Sequence, residues 1–147
     1  MKPSNSVAEV KITYSPKHKS KLKINSAEGA VRALREVWNE DISYKESFYL
    51  LFLNRAGFVL CYHLLSIGGT SSTVVDIKII LQLALKLNAS SIIISHNHPS
   101  GNLKPSDNDL ILTKKLKDSL ELMHVKLLDH IIISDTSYLS MVDENFI

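Results

Sequence analysis

Ile92-Ile93-Ile94-Ser95-His96-Asn97-His98-Pro99-Ser100-Gly101 carries an apolar strand straight into two histidines and a turn. After Asn102-Leu103-Lys104, the stretch Pro105-Ser106-Asp107-Asn108-Asp109 opens a helix expected to reach about Met123. This strand, turn and helix decide the fold class, which is α/β. On an extended backbone, side chains at i and i+2 point to one side, so His96 and His98 share a face. Neutral imidazoles bind zinc well, and a carboxylate completes a three-ligand set with one position left open. Catalytic zinc sites have that form, whereas structural ones are closed by four ligands.

Asp109 is the candidate carboxylate. Its plainest reading is a helix cap, with Ser106 at the N-cap and Asp109 three residues on, as in a capping box. The helix face argues for more. Leu112, Leu116, Leu120 and Met123 form one stripe at three- and four-residue spacings, and Asp109 extends it. A carboxylate on the core-facing stripe needs a partner, because an unpaired buried charge is very costly. Capping and metal binding are compatible, since Ser106 caps while Asp109 ligates.

Hydrolysis at such a site also needs a proton acceptor for the water. Glu46 is the candidate. It begins the apolar run to Leu53, and its parity matches Phe48, Leu50 and Phe52. A solvated strand end is the competing reading. Glu36, Glu40 and Asp41 fall at or just after the polar end of a helix and serve less well. Ser106, besides capping, can donate to an oxyanion. Asp129-His130 interrupts another apolar strand. His130 is read as a satisfied structural histidine, with a role on or behind the metal as the alternative. His18, His63 and His124 lack ligand spacing and are read as surface or strand residues.

Outward from this centre, helices and strands alternate, which predicts a mixed sheet flanked by helices. Val7 to Tyr14 reads as a strand and Leu22 to Ile24 as a short extended piece. Ser26 caps a helix to about Trp38. The strand from Glu46 returns through Asn54-Arg55-Ala56-Gly57 to Phe58–Leu65 as a hairpin. Gly68 to Ser72 is a flexible loop. Asp76 caps an apolar helix to about Leu87, expected to lie deep against the sheet. Val125 to Ser134 is a strand, and Tyr138 to Val142 is a last edge strand.

The chain has 147 residues, 45% hydrophobic and 22% charged, which suits one globular domain. No apolar run approaches the roughly 20 residues of a membrane helix, and no signal peptide is read at Lys2-Pro3. Cys61 stands alone, which rules out an internal disulfide and fits a reducing cytoplasm. Net charge is +2, but residues 1–25 hold six lysines against Glu9, leaving −3 for the remainder. The organisation expected is a basic arm over 1–25 and a domain over 26–147. The arm is open to nucleic acid or an acidic partner, but lysines blunting an exposed strand edge are the preferred reading.

Glu46, His96-Asn97-His98-Pro99 and Ser106-Asp107-Asn108-Asp109 together resemble the JAMM (MPN-plus, or JAB) metalloprotease motif. The variant is similar to the RadC family, with His-Asn-His-Pro-Ser-Gly, Pro-Ser-X-X-Asp and the later Leu128-Asp129-His130-Ile131. The resemblance spans most of Ser26 to Val142. It implies a cytidine-deaminase-like α/β/α fold with zinc on His96, His98 and Asp109. It also implies Glu46 as acid and base, Ser106 as oxyanion helper, and hydrolysis of peptide or isopeptide bonds in a protein or peptide substrate. Longer RadC proteins carry an N-terminal helix-hairpin-helix region, for which this chain has no room, so DNA contacts are not carried over. The alternative from the family name and the basic arm is a DNA-repair-associated, nucleic-acid-binding accessory protein with a metal-stabilised fold.

Overall fold

In the computed structural model, which describes residues 7–16, 19–39, 41–68 and 74–147, strand β1 (Ser47–Leu53) is buried along its whole length. A strand apolar at nearly every position must be covered on both faces, and the architecture follows from that. β2 (Val59–Ile67) returns antiparallel beside it. In the connecting turn, Asn54 Oδ1 accepts from the amides of Ala56 and Phe58, and Gly57 adopts a φ of 85° that glycine tolerates without clash. β3 (Ser91–Asn97) pairs antiparallel with the other side of β1, and β4 (Lys126–Ile133) runs parallel to β3. β5 (Tyr138–Ser140) completes the order β2-β1-β3-β4-β5. A parallel pair needs a crossover, and α3 (Asp107–Glu121) supplies it between β3 and β4.

Alternation along the strands decides which helix covers which face. Tyr49, Leu51, Leu53, Ile93 and Ile131 pack with Ala30, Val31 and Leu34 of α1 (Ala27–Val37). Phe48, Leu50, Phe52, Ile92 and Ile94 point the other way. They meet Ile80 and Ala84 of α2 (Ile77–Lys86) and Leu116 and Leu120 of α3. The outcome is an α/β/α sandwich around a mixed sheet, as expected. The caps also fall as read: Ser26 Oγ accepts from the Gly29 amide, and Asp76 Oδ1 from the Lys78 amide. Each such cap is worth about 1 kcal/mol.

Two expectations fail. Val7–Tyr14 forms no strand, and Val7, Val10 and Ile12 stand in the open at 97%, 82% and 74% exposure. Strand preference is a preference for a half-buried pleated surface, and this segment lies on none, so its alternating pattern has nothing to act on. Lys11, the one lysine of this segment, therefore guards no strand edge. Nor is α2 deeply buried: Ile80 and Ala84, one turn apart, face the sheet, while Ile79 and Leu85 remain exposed. A helix laid on one outer face of a sheet has only one stripe to bury, however apolar its other faces are.

Leu22–Ile24 does extend as read. Lys23 bridges Phe58, the Ile24 amide donates to Gly57, and Leu22 accepts from the Val59 amide. Apart from Gly68, the expected Gly68–Ser72 loop lies outside the described residues, as does His18. Among the described residues, no helix is long and apolar enough to cross a membrane.

Candidate metal centre

Parity along β3 carries the face of Ile92 and Ile94 on to His96, so its imidazole points toward α3. Phe48 of β1 lies parallel to that ring, with centroids 5.9 Å apart and planes 5° from each other. His98 follows just past the end of β3, and Asp109 sits in the first turn of α3. The three converge. His96 Nε2 is 2.9 Å from His98 Nε2 and 3.3 Å from Asp109 Oδ1, and His98 Nε2 is 3.4 Å from Asp109 Oδ2. Ligand atoms about 2.0–2.1 Å from a tetrahedral zinc stand roughly 3.3–3.4 Å apart. His96, His98 and Asp109 thus form a group able to hold a metal ion.

The donor chemistry fits as well. His98 Nδ1 lies 2.5 Å from the Asn102 carbonyl oxygen. A carbonyl only accepts, so Nδ1 carries the hydrogen and Nε2 keeps its lone pair for the centre. Asp109 divides its carboxylate between two tasks. The Ser106 amide donates to Oδ2 at 2.8 Å and Ser106 Oγ accepts from the Asp109 amide, completing the capping box. Oδ1 faces His96. The cap therefore fixes the angle at which the carboxylate is offered, and the two readings of Asp109 hold together.

Charge at the centre follows from these contacts. Burial alone would raise the Asp109 carboxyl, but the imidazoles of His96 and His98, which donate to it when protonated, and the Ser106 amide outweigh it, holding the carboxyl well below the usual range. His98 moves the other way. Its hydrogen bond to Asp109 raises its pKa against the opposing effect of burial, with smaller contributions from the Asn102 carbonyl and the charges of Asp109 and Glu46. A proton or a metal ion is what this cluster attracts.

Glu46 lies half-buried immediately before β1, close enough for its charge to reach His98. Its segment is pinned by a residue the sequence reading passed over. Asn97, between the two histidines, points to the opposite face. Its Oδ1 accepts from the Ser47 amide, and its Nδ2 donates to the carbonyls of Ile42 and Lys45, each at 2.7 Å. Asn97→Ala leaves three backbone groups short of a partner, the Ser47 amide buried and the Ile42 and Lys45 carbonyls partly so. Thermal unfolding should register a loss of about 3 kcal/mol, given the cost of unsatisfied buried groups. A loss below about 1 kcal/mol would show that water replaces the clamp.

His130 is a satisfied buried histidine, as read, and it lies directly behind His96. The residue is fully buried in β4 with Nε2 2.8 Å from His96 Nδ1, and its Nδ1 faces Thr113 of α3 at 2.6 Å. Burial, helped by the neighbouring His96, pushes its pKa down and so favours the neutral ring. Thr113 and Asn102 were missed. Thr113 had a local signal, four residues after Asp109 on one helix face; Asn102 had none. Asp129 turns away and accepts from Ser140 Oγ and the amides of His130 and Val142, tying β5 to β4. His63 and His124 are exposed and apart from the centre.

Fold and site together define a JAB-type domain, an α/β/α sandwich that presents two histidines and a helix-borne aspartate. A family model described as "RadC-like JAB domain" matches residues 24–146, and the chain belongs to that family. It is 42% identical over 122 residues to a UPF0758 protein of Flavobacterium johnsoniae, covering 83% of this chain and 52% of that protein. A UPF0758 protein of Staphylococcus carnosus is 39% identical over 101 residues, covering 69% of this chain and 45% of the relative. One from Syntrophomonas wolfei is 36% identical over 120 residues, covering 80% and 51%. The chain thus spans about half the length of the relatives it matches.

Proposed function

We propose that this domain is a zinc-dependent hydrolase of amide bonds, acting on peptide or isopeptide linkages in a protein substrate. One observation carries the reading: two imidazole nitrogens and a charged carboxylate turn toward one spot at mutual distances of 2.9 to 3.4 Å. Two neutral nitrogen ligands and one oxygen suit zinc better than magnesium or calcium, which take oxygen. His96, His98 and Asp109 would hold the ion, which would supply Lewis acidity toward water and a carbonyl. Glu46 accepts the proton of the attacking water and delivers it to the departing amine. Ser106 Oγ accepts from the Asp109 amide, and its own hydrogen is the donor assigned to the oxyanion. The single cysteine, Cys61, supports a reducing, cytoplasmic setting.

The test is hydrolysis of peptide and isopeptide-linked substrates by zinc-loaded protein. Cleavage that stops on chelation and returns with zinc is expected; full zinc content without cleavage of any amide contradicts the proposal. The pH dependence has a definite sign. Asp109 strengthens the hold of His98 on a proton, and that proton competes with the ion. Zinc affinity should therefore be high where His98 is neutral and fall as the pH drops through its raised pKa. Zinc titrations between about pH 5 and 8 check this, and a flat profile contradicts it.

A further inference from the structure

Behind His96 runs a sealed chain of side chains that the proposed chemistry does not use. His96 Nδ1 meets His130 Nε2 at 2.8 Å, His130 Nδ1 meets Thr113 Oγ1 at 2.6 Å, and Thr113 Oγ1 meets the Asp109 carbonyl oxygen at 2.5 Å. Parallel pairing of β3 with β4 sets His130 opposite Ile94, two residues before His96 on the same face. His96, Thr113 and His130 are all buried, out of reach of bulk solvent.

The chain has only one consistent direction. A carbonyl cannot donate, so Thr113 gives its single hydrogen to Asp109, the i to i−4 back-bond open to threonine in a helix. Toward His130 the hydroxyl then only accepts, and His130 Nδ1 must donate. A neutral imidazole with hydrogen on Nδ1 has a lone pair on Nε2, so His96 Nδ1 donates to it. His96 is left with a bare Nε2 facing His98 and Asp109. The chain therefore starts on the backbone of one member of the centre and ends on the ring of another.

We infer that Thr113 and His130 are positioning residues that lock His96 in the tautomer able to ligate a divalent cation. The inference rests on the metal reading of His96, His98 and Asp109 above. Without the Thr113 hydroxyl, His130 is free to carry its hydrogen on Nε2 and donate to His96 Nδ1. The His96 hydrogen then moves to Nε2, into the place of the ion. His98 needs no such relay, since its Nδ1 rests directly on the Asn102 carbonyl.

The experiment pairs zinc titration with side-chain nitrogen NMR of the metal-free protein. Thr113→Val and His130→Asn should weaken zinc binding by about 10- to 100-fold, as loss of a group orienting a ligand histidine does. Thr113→Ser keeps the hydroxyl, and His130→Gln keeps an acceptor near the Nε2 position, so both should stay close to the parent. In the spectra, His96 should be the Nδ1–H form in the parent and acquire Nε2–H character in Thr113→Val. Should His130→Asn fail to fold, Thr113→Val still decides. Parent-like zinc affinity and an unchanged His96 tautomer in Thr113→Val overturn the inference. A parent that takes up no zinc refutes the proposed function, while the tautomer spectra still judge the relay.

Discussion

Asp109→Ala is expected to reduce zinc affinity by more than about 100-fold, beyond what loss of a ligand's supporting partner costs. Asp109 is the only carboxylate of the three-residue centre, and its charge is set against His96 and His98 at 3.3 and 3.4 Å. Without it, two imidazole nitrogens 2.9 Å apart face each other with no anion to complete the set. The same change opens the capping box at the start of α3, at a cost of about 1 kcal/mol. Asp109→Asn separates the two effects, because an amide oxygen still accepts from the Ser106 amide but brings no charge. The asparagine variant should recover most of the stability and little of the zinc binding. Parent-like zinc binding in Asp109→Asn would place the role of Asp109 in the cap alone. Isothermal titration with zinc and thermal unfolding in chelator read the two quantities separately.

Glu46→Gln should have the second-largest effect, and on a different quantity. The amide matches the acid in shape but cannot take up a proton, so zinc binding should persist while hydrolysis falls by about 100- to 10,000-fold. Glu46 sits at the entry of β1, one residue before the Ser47 amide that Asn97 holds. Its charge is among those acting on His98. Comparing kcat and zinc stoichiometry for the two proteins checks the assignment. Equal turnover would remove Glu46 from the chemistry.

What the sequence made legible follows from how local each signal was. The α1 cap at Ser26, the hairpin at Asn54–Gly57 and the α3 start at Ser106 each depend on a few neighbouring residues, and each lies where the spacing predicted. His96 and His98 were readable because i, i+2 parity survives folding. Asp109 was readable because Leu112, Leu116 and Leu120 marked which side of the helix faces inward. The errors came where tertiary context decides. Val7–Tyr14 has strand composition without a sheet to join, and α2 has core composition on an outer face. The His96–His130 contact depends on the parallel register of β3 and β4, including an irregularity between Ile92 and Ile93. Spacing in sequence does not encode that register. Asn97 was hidden differently, because its partners Ile42, Lys45 and Ser47 contribute only backbone, which no motif records.

The decisive observation is an anomalous difference map at the zinc edge from crystals of the zinc-loaded protein. A single peak about 2.0–2.2 Å from His96 Nε2, His98 Nε2 and an Asp109 oxygen is the expected result. Zinc bound elsewhere, or no ordered zinc while these three side chains keep their positions, would contradict the account at its base.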